Sequence, residues 1–282
     1  MRVGVNFFPT DEAIESIQLG EELEQRGFES LWMAEHSHIP TSRVTPWGGR
    51  RGAPPLPDYY ARSHDSMVVL SAVAARTDRL KLGTGISLVA QHDPIWLAKQ
   101  VASLDVLSNG RFLFGIGYGW NKEEMAHHGV EYGSRRQLVE EKIGLMKALW
   151  TQEEASYEGE LINLESSWAW PKPRQKPHPP IILGGSAGPR TFAAIARFCD
   201  GWMPIIGRSD VESKVSMLHE ELATVGRDPD AIELSAYAAA PDPKPWAGWE
   251  ALGFSRVVIH IPSQPPDVVL PLLDEYAALI DL

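Results

Sequence analysis

A chain of 282 residues, 44% hydrophobic and 22% charged, can bury a large core. Its length suits one α/β barrel of roughly 250 residues as well as it suits two smaller domains. A formal net charge of -11 and a pI near 5.3 argue against the basic face that a nucleic-acid partner requires, and no apolar run approaches the roughly 20 residues of a membrane-spanning helix. Cys199 is the one cysteine, which excludes an intramolecular disulfide, and a strand-like run from Arg2 stands where a charged and apolar leader would be; the expectation is a cytoplasmic protein.

Arg2 to Phe7 reads as a strand, and Ile14, Ile17, Leu19 and Leu23 recur at near-helical spacing over about 11–26, which completes a first βα unit. Ser30 to Ala34 is a short apolar strand followed by about 29 residues rich in Pro, Gly, Arg and Tyr, and a loop of that length is seldom idle. After a helical run at Ser66 to Ala75, Leu80 to Val89 reads as a third strand. Asp93-Pro94 then starts a helix that continues through Trp96, Val101, Leu104 and Leu107. A Ser-Asn-Gly turn leads into the fourth strand, Arg111 to Gly117. Gly115, Gly117 and Gly119 strip side chains from its end, which suits the close approach of a flat ring or a phosphate.

Glu140 to Trp150 is a helix, and about 151–180, with Trp168, Trp170 and a run of prolines, reads as an insertion. Four further apolar runs follow at Pro180 to Leu183, Gly201 to Ile205, Ile232 to Tyr237 and Arg256 to Ile261. Helical patterns at Arg190 to Phe198, Val211 to Val225 and Trp246 to Leu252 separate them, and Pro266 to Ile280 closes the chain. Eight strands in βα alternation match a (β/α)₈ barrel over 1–282, with the insertion between helix 4 and strand 5, better than a doubly wound sheet; two open four-stranded sheets are the alternative.

A barrel places strand C-termini on its active face. That face would carry Asn6, Phe7, Glu35, His36, Gly85, Ile86, Ser87, Gly117 to Trp120, Gly184, Gly185, Ser186 and His260. The turn from Gly184 to Gly188 offers free amides, a hydroxyl and a helix N-terminus to a phosphate, although two glycines also serve a plain tight turn. GIGYG lacks the third glycine of a dinucleotide fingerprint, which excludes a Rossmann reading. Glu35-His36-Ser37-His38 puts an acid and two imidazoles where the second strand meets the long loop, and His36 suits proton transfer near neutral pH. Histidines spaced by two, with no second cluster, do not make a metal site. His127 and His128 point apart on a helix and read as surface residues, while Asp65 and Asp93 read as helix caps beside His64 and His92. Trp47, Trp120, Trp168 and Trp170 suit an aromatic pocket at the mouth, whereas Trp32, Trp96, Trp150 and Trp202 read as core.

The segments SLWMAEHSHIP, TDRLKLGTGISLVAQHDPIWLAKQVASLDVLSNGRFLFGIGYGWNKEE and PKPRQKPHPPIILGGSAGPRTFAAIARFCDGWMP resemble the luciferase-like monooxygenase family, and within it the oxidoreductases that depend on the deazaflavin coenzyme F420. The resemblance spans about Met1 to Pro204. It implies a (β/α)₈ barrel with the cofactor ring at the strand C-termini, against a bulge in the third strand that holds a non-prolyl cis peptide, here Gly85-Ile86 beside Ser87, with Gly117 on the neighbouring strand. It places the cofactor phosphate on Gly184, Gly185 and Ser186. Glu35 and His36 match the family's acid-histidine pair, with His36 the proton-transfer residue. The sugar-phosphate dehydrogenase branch has an acid directly after the fourth-strand glycines where this chain has Trp120, so the resemblance implies a hydrophobic or aromatic small-molecule substrate against Trp120. The implied reaction is hydride transfer between the deazaflavin C5 and that substrate, with loops 37–64 and 151–180 as lids. An FMN-dependent monooxygenase and a non-catalytic flavin-binding protein are the alternatives, and the family's usual assembly is a homodimer.

Overall fold

Eight parallel strands close into a barrel in the computed structural model, which describes residues 1–208 and 210–280; Ser209, Asp281 and Leu282, within the expected 1–282 barrel, lie outside the described residues. In chain order the elements are β1 (Arg2–Phe7), α1 (Ser16–Gln25), β2 (Ser30–Met33), α2 (Ser66–Ala74), β3 (Lys81–Thr84), α3 (Pro94–Leu107), β4 (Phe112–Ile116), α4 (Lys122–His127) and α5 (Arg135–Thr151). A hairpin, β5 (Ala155–Glu158) and β6 (Asn163–Ser167), precedes β7 (Ile181–Gly184), α6 (Pro189–Phe198), β8 (Gly201–Met203), α7 (Val211–Thr224), β9 (Glu233–Ala239), α8 (Trp246–Ala251), β10 (Phe254–His260) and α9 (Pro266–Ala277). The order around the barrel is β1-β10-β9-β8-β7-β4-β3-β2.

Alternate strand residues face opposite ways, which divides the core in two. Leu31 and Met33 join the large cluster shared with the helices, while Trp32 meets Leu113, Ile182, Met203, Tyr237 and Val258 inside the barrel. The indole of Trp32 lies flat on β3, where a Cβ on Gly83 would come 2.4 Å from Trp32 Cε3. Below it, the fully buried Arg256 donates to Glu29 at 2.7 and 2.8 Å and to Ser235 at 3.0 Å, pairs with Glu233, and stacks 5.5 Å from the Trp32 ring. Burial alone would raise the Glu29 carboxyl, but Arg256 and Lys81 outweigh it and hold it at about 2. This network lies at the N-terminal, non-catalytic end of the strands.

Several expectations are corrected. Continuous pairing of the third strand ends at Thr84, where the chain bulges through a cis Gly85-Ile86 peptide. It rejoins β4 at Ser87, whose amide donates to the Gly115 carbonyl at 2.8 Å and whose carbonyl accepts from the Gly117 amide at 3.1 Å, before a 3-10 turn at Val89–Gln91. The helix assumed for His127 is the short α4, for which no bounds were expected, and α5 begins at Arg135 rather than Glu140. The insertion does not lid the mouth. It joins a helix C-terminus to a strand N-terminus, so it belongs to the bottom of the barrel; Gln175 there bonds Asp105 at 2.6 Å and the carbonyl of Phe112, where β4 starts, at 2.8 Å. Trp168 and Trp170 go with it and are exposed, and Trp96, expected in the core, is 70% exposed on α3. Asp65 and Asp93 do cap α2 and α3, accepting from Val68 N and from Ile95 N and Trp96 N.

Candidate active site

At the C-terminal rim the inward glycines receive protein rather than leaving bare backbone. A Cβ on Gly117 would come 2.5 Å from Ile86 Cδ1, one on Gly184 would come 2.5 Å from Ile86 Cγ2, and one on Gly115 would strike the Thr84 carbonyl. The cis Gly85-Ile86 peptide thus delivers the Ile86 side chain between β4 and β7, and the Gly85 carbonyl accepts a hydrogen bond of 2.8 Å from the Tyr237 hydroxyl. Burial raises the Tyr237 phenol, so it stays a donor. Tyr237 carried no sequence signal beyond its place in a strand.

The acid paired with His36 is not its neighbour in sequence. His36 Nδ1 lies 2.7 Å from Glu124 Oε2 on α4, and Glu124 is fully buried. Glu124 Oε1 accepts from the Ser37 amide at 3.1 Å, so the carboxylate fixes the loop as well as the ring. Asn121 caps α4 and sets Glu124 in its first turn. Glu35 instead meets His92 Nε2 at 2.5 Å and accepts from the Leu88 amide at 3.4 Å, which ties the loop after β3 to the end of β2. Burial would raise the Glu35 carboxyl and lower His92, but their mutual hydrogen bond and opposite charge reverse both directions. Glu35 and His36 are therefore two separate pairs, Glu35 with His92 and His36 with Glu124.

Around His36 stand Phe8 at 6.2 Å, Tyr60 at 5.2 Å and Trp120 at 5.7 Å between ring centroids. Trp47 packs edge-on to Tyr60 at 5.9 Å, so the long loop after β2 does fold over the mouth. His36 is 8% exposed and its Nε2 makes no hydrogen bond to any described residue. Across the rim, Asn6 Nδ2 meets His260 Nδ1 at 3.0 Å, a pairing set by the β1 to β10 register. Burial lowers the His260 pKa and favours its neutral form.

The turn from Gly184 to Gly188 caps α6, and Gly185 at φ 141 is a conformation that a side chain would strain. Ser186 holds this turn by accepting the Thr191 hydroxyl on its carbonyl at 2.9 Å. Two residues missed in the sequence open the neighbouring helix. Arg135 and Arg136, the first residues of α5, stack on Tyr132 and Tyr118 at 3.5 and 4.1 Å, and Arg135 Nε and Arg136 Nη1 are buried without a partner. Because β4 and β7 are neighbours, both helix N-termini and both guanidinium groups belong to adjacent units of one rim. With the helix expected only from Glu140, the adjacent pair Arg135-Arg136, the available signal, falls outside it. Ser87 is also buried, with its hydroxyl close enough to Glu35 to help lower that carboxyl.

A family model described as luciferase-like monooxygenase matches residues 6–241. The chain belongs to the luciferase-like monooxygenase family. An uncharacterised member from Mycobacterium tuberculosis (strain ATCC 25618 / H37Rv) is 38% identical over 280 residues, 99% of this chain and 98% of that protein. An F420-dependent glucose-6-phosphate dehydrogenase from Kineococcus radiotolerans is 30% identical over 74% of this chain and 58% of its own length. An FMNH(2)-dependent dimethylsulfone monooxygenase from Pseudomonas putida is 35% identical over 62% and 48%. The crystal structure of the monooxygenase RslO1 from Streptomyces bottropensis covers 99% of this chain and 98% of its own with a TM-score of 0.76 at 21% identity, a likeness of fold. This family member is thus a TIM barrel with oxidoreductases and monooxygenases among its relatives. Among the described residues no group of three acidic, histidine or cysteine side chains is placed to hold a metal ion.

Proposed function

We propose that this protein is an F420-dependent oxidoreductase that moves a hydride between the deazaflavin C5 and a small apolar or aromatic substrate. The observation that carries the reading is His36, fixed at Nδ1 by the buried Glu124, with Nε2 turned to an aromatic enclosure. The F420-dependent relative supports the choice of cofactor. The residues fit the group: the Gly184, Gly185 and Ser186 turn and the unpartnered nitrogens of Arg135 and Arg136 would hold its phosphate, and the face formed by Gly85, Ile86 and Gly117 would support its ring. When bound, the deazaflavin supplies the hydride-carrying carbon. His36 Nε2 takes or gives the proton that accompanies hydride transfer at a carbon bearing oxygen, and Glu124, hydrogen-bonded to Nδ1, orients the ring. Phe8, Tyr60 and Trp120 exclude water and offer the substrate apolar faces.

Titration of the purified protein with F420 and with FMN, read by tryptophan fluorescence, tests the cofactor. Saturable micromolar binding of F420 with weaker FMN binding is the expected result, and the reverse order would replace the reading with the FMN-dependent monooxygenase. With F420 bound, His36→Gln is expected to lower turnover by about 10²–10⁴ while leaving cofactor affinity within a few-fold. Unchanged turnover would remove His36 from the chemistry.

A further inference from the structure

The couple of His36 and Glu124 does not end in the core. Ser37 Oγ lies 3.4 Å from Glu124 Oε1, 2.7 Å from His128 Nε2 and 2.9 Å from His38 Nδ1, and His38 Nε2 lies 2.8 Å from His127 Nδ1. His127 and His128, at the end of α4, are exposed, and His38 is half-buried and stacked on His127 with centroids 5.0 Å apart. Two adjacent histidines expected to diverge therefore converge on one network, each through its own partner in the loop after β2. We propose that Ser37 and the imidazoles of His38, His127 and His128 form a proton port, which carries protons between the enclosed His36 and solvent.

The polarity of the links is consistent throughout. In one setting His36 Nδ1–H donates to Glu124 Oε2, Ser37 O–H donates to Glu124 Oε1, and His38 Nδ1–H and His128 Nε2–H donate to Ser37 Oγ. His127 Nδ1–H then donates to His38 Nε2. Every donor is used once and every acceptor has room. Outward transfer uses the opposite setting of the two outer rings. His36 gains a proton at Nε2 and passes its Nδ1 proton to Glu124 Oε2. The carboxylic acid turns to present that proton to Ser37 Oγ, whose own hydroxyl proton moves to His38 Nδ1, and the His38 Nε2 proton moves to His127 Nδ1 as His127 Nε2 releases one to water. The reverse sequence returns a proton to His36 Nδ1 when Nε2 gives its proton up. One proton leaves for each one accepted, and no electron moves. Imidazoles suit this role because each ring can accept a proton at one nitrogen while it donates from the other.

The other charged groups around the port are committed elsewhere. Glu123 accepts the Val44 and Thr45 amides at 3.1 Å, and Glu35 is held by His92. The aromatic rings over the site leave His36 8% exposed, and among the described residues the path through Glu124 leads to the exposed Ser37 and from there to the imidazoles.

The proposal rests on His36 as the proton-transfer residue, yet its test needs neither cofactor nor turnover. In the protein labelled with ¹⁵N-histidine, NMR reads exchange of the His36 ring proton with water. Ser37→Ala, and separately His38→Gln with His127→Gln and His128→Gln, are expected to slow that exchange by roughly tenfold or more, and added imidazole is expected to restore it in both. Rescue by a diffusing proton carrier is not expected of a residue that only holds the loop. Exchange unchanged in both variants, or slowed without imidazole rescue, would overturn the port. Slowed and rescued exchange, combined with unimpaired turnover of the His36→Gln protein, would leave the port standing and remove the catalytic reading.

Discussion

Ile86 occupies space that two glycines create, and this makes the rim a three-way fit. A methyl on Gly117 would overlap Ile86 Cδ1 and Cγ1 at 2.5 and 2.8 Å, so Gly117→Ala is expected to destabilise the fold by about 1–3 kcal/mol. Ile86→Ala removes both clashing atoms and leaves only Cβ, 3.5 Å away. The double variant should therefore lose less stability than the two single losses added together, with a coupling of about 1 kcal/mol or more in a denaturant-melting cycle. Strict additivity would show that Gly117 serves something other than Ile86. The same residues mark what sequence could and could not reveal. GIGYG stood out because backbone without side chains near a strand end is chemically informative, whereas the Gly85-Ile86 step came from the family resemblance. What fills that space depends on the strand opposite, which a local pattern does not contain. The resemblance set Glu35 and His36 together as an acid-histidine pair, but successive residues leaving a strand diverge, and each has its hydrogen-bond partner 57 or 88 residues away.

The eight strands were legible from apolar runs and βα alternation, while the details that failed were those set by position in the barrel. An insertion after a helix falls at the bottom whatever its composition, so Trp168 and Trp170 were never available to the mouth. The bottom also holds an ionic network in which two arginines, Arg256 of β10 and Arg2 of β1, tie these strands to the start of β2 and to β9. Arg256 is buried against Glu29 on one side and Glu233 on the other, and Arg2 approaches both acids at 3.5 and 3.2 Å. Replacing Arg256 with Met leaves Glu29 and Glu233 with only the longer contacts to Arg2, and Glu29 with Lys81, in place of the buried guanidinium, and a loss of about 3 kcal/mol is expected in urea melts. The pH dependence has a definite sign. Folding lowers the Glu29 pKa from 4.5 to about 2, so its contribution is present above pH 4.5 and is lost as the pH falls from there towards 2. Melting temperature measured from pH 6 to pH 2.5 should fall more steeply in the wild type than in a Glu29→Gln, Arg256→Met variant, which has no such carboxylate to protonate. Equal slopes would place the acid sensitivity elsewhere.

For the molecule as a whole, the unusual surface is on the outer side of two adjacent helices. Val68 on α2 is 65% exposed, and on α3 Ile95, Trp96, Val106 and Leu107 are 48%, 70%, 43% and 68% exposed. Single exposed apolar residues are ordinary, but this many on two helices packed side by side, including an indole, form the kind of surface that monomers avoid. Lys99 of α3 bonds the Trp170 carbonyl, so the exposed Trp170 ring extends the same face into the insertion. We propose that two copies of this chain bury it as a homodimer. A stable interface of this kind removes about 800 Å² from each partner, and its affinity concentrates in a few large central side chains, of which Trp96 is the foremost here. Sedimentation of the purified protein at micromolar concentration is expected to give the mass of two chains. Trp96→Asp is expected to give one chain with an unchanged far-UV spectrum, because the side chain contributes little to the interior of its own barrel. A wild-type monomer at tens of micromolar would refute the assembly. If Trp96→Asp remained a dimer, the interface would lie on another face, and the exposed tryptophans would require a different partner.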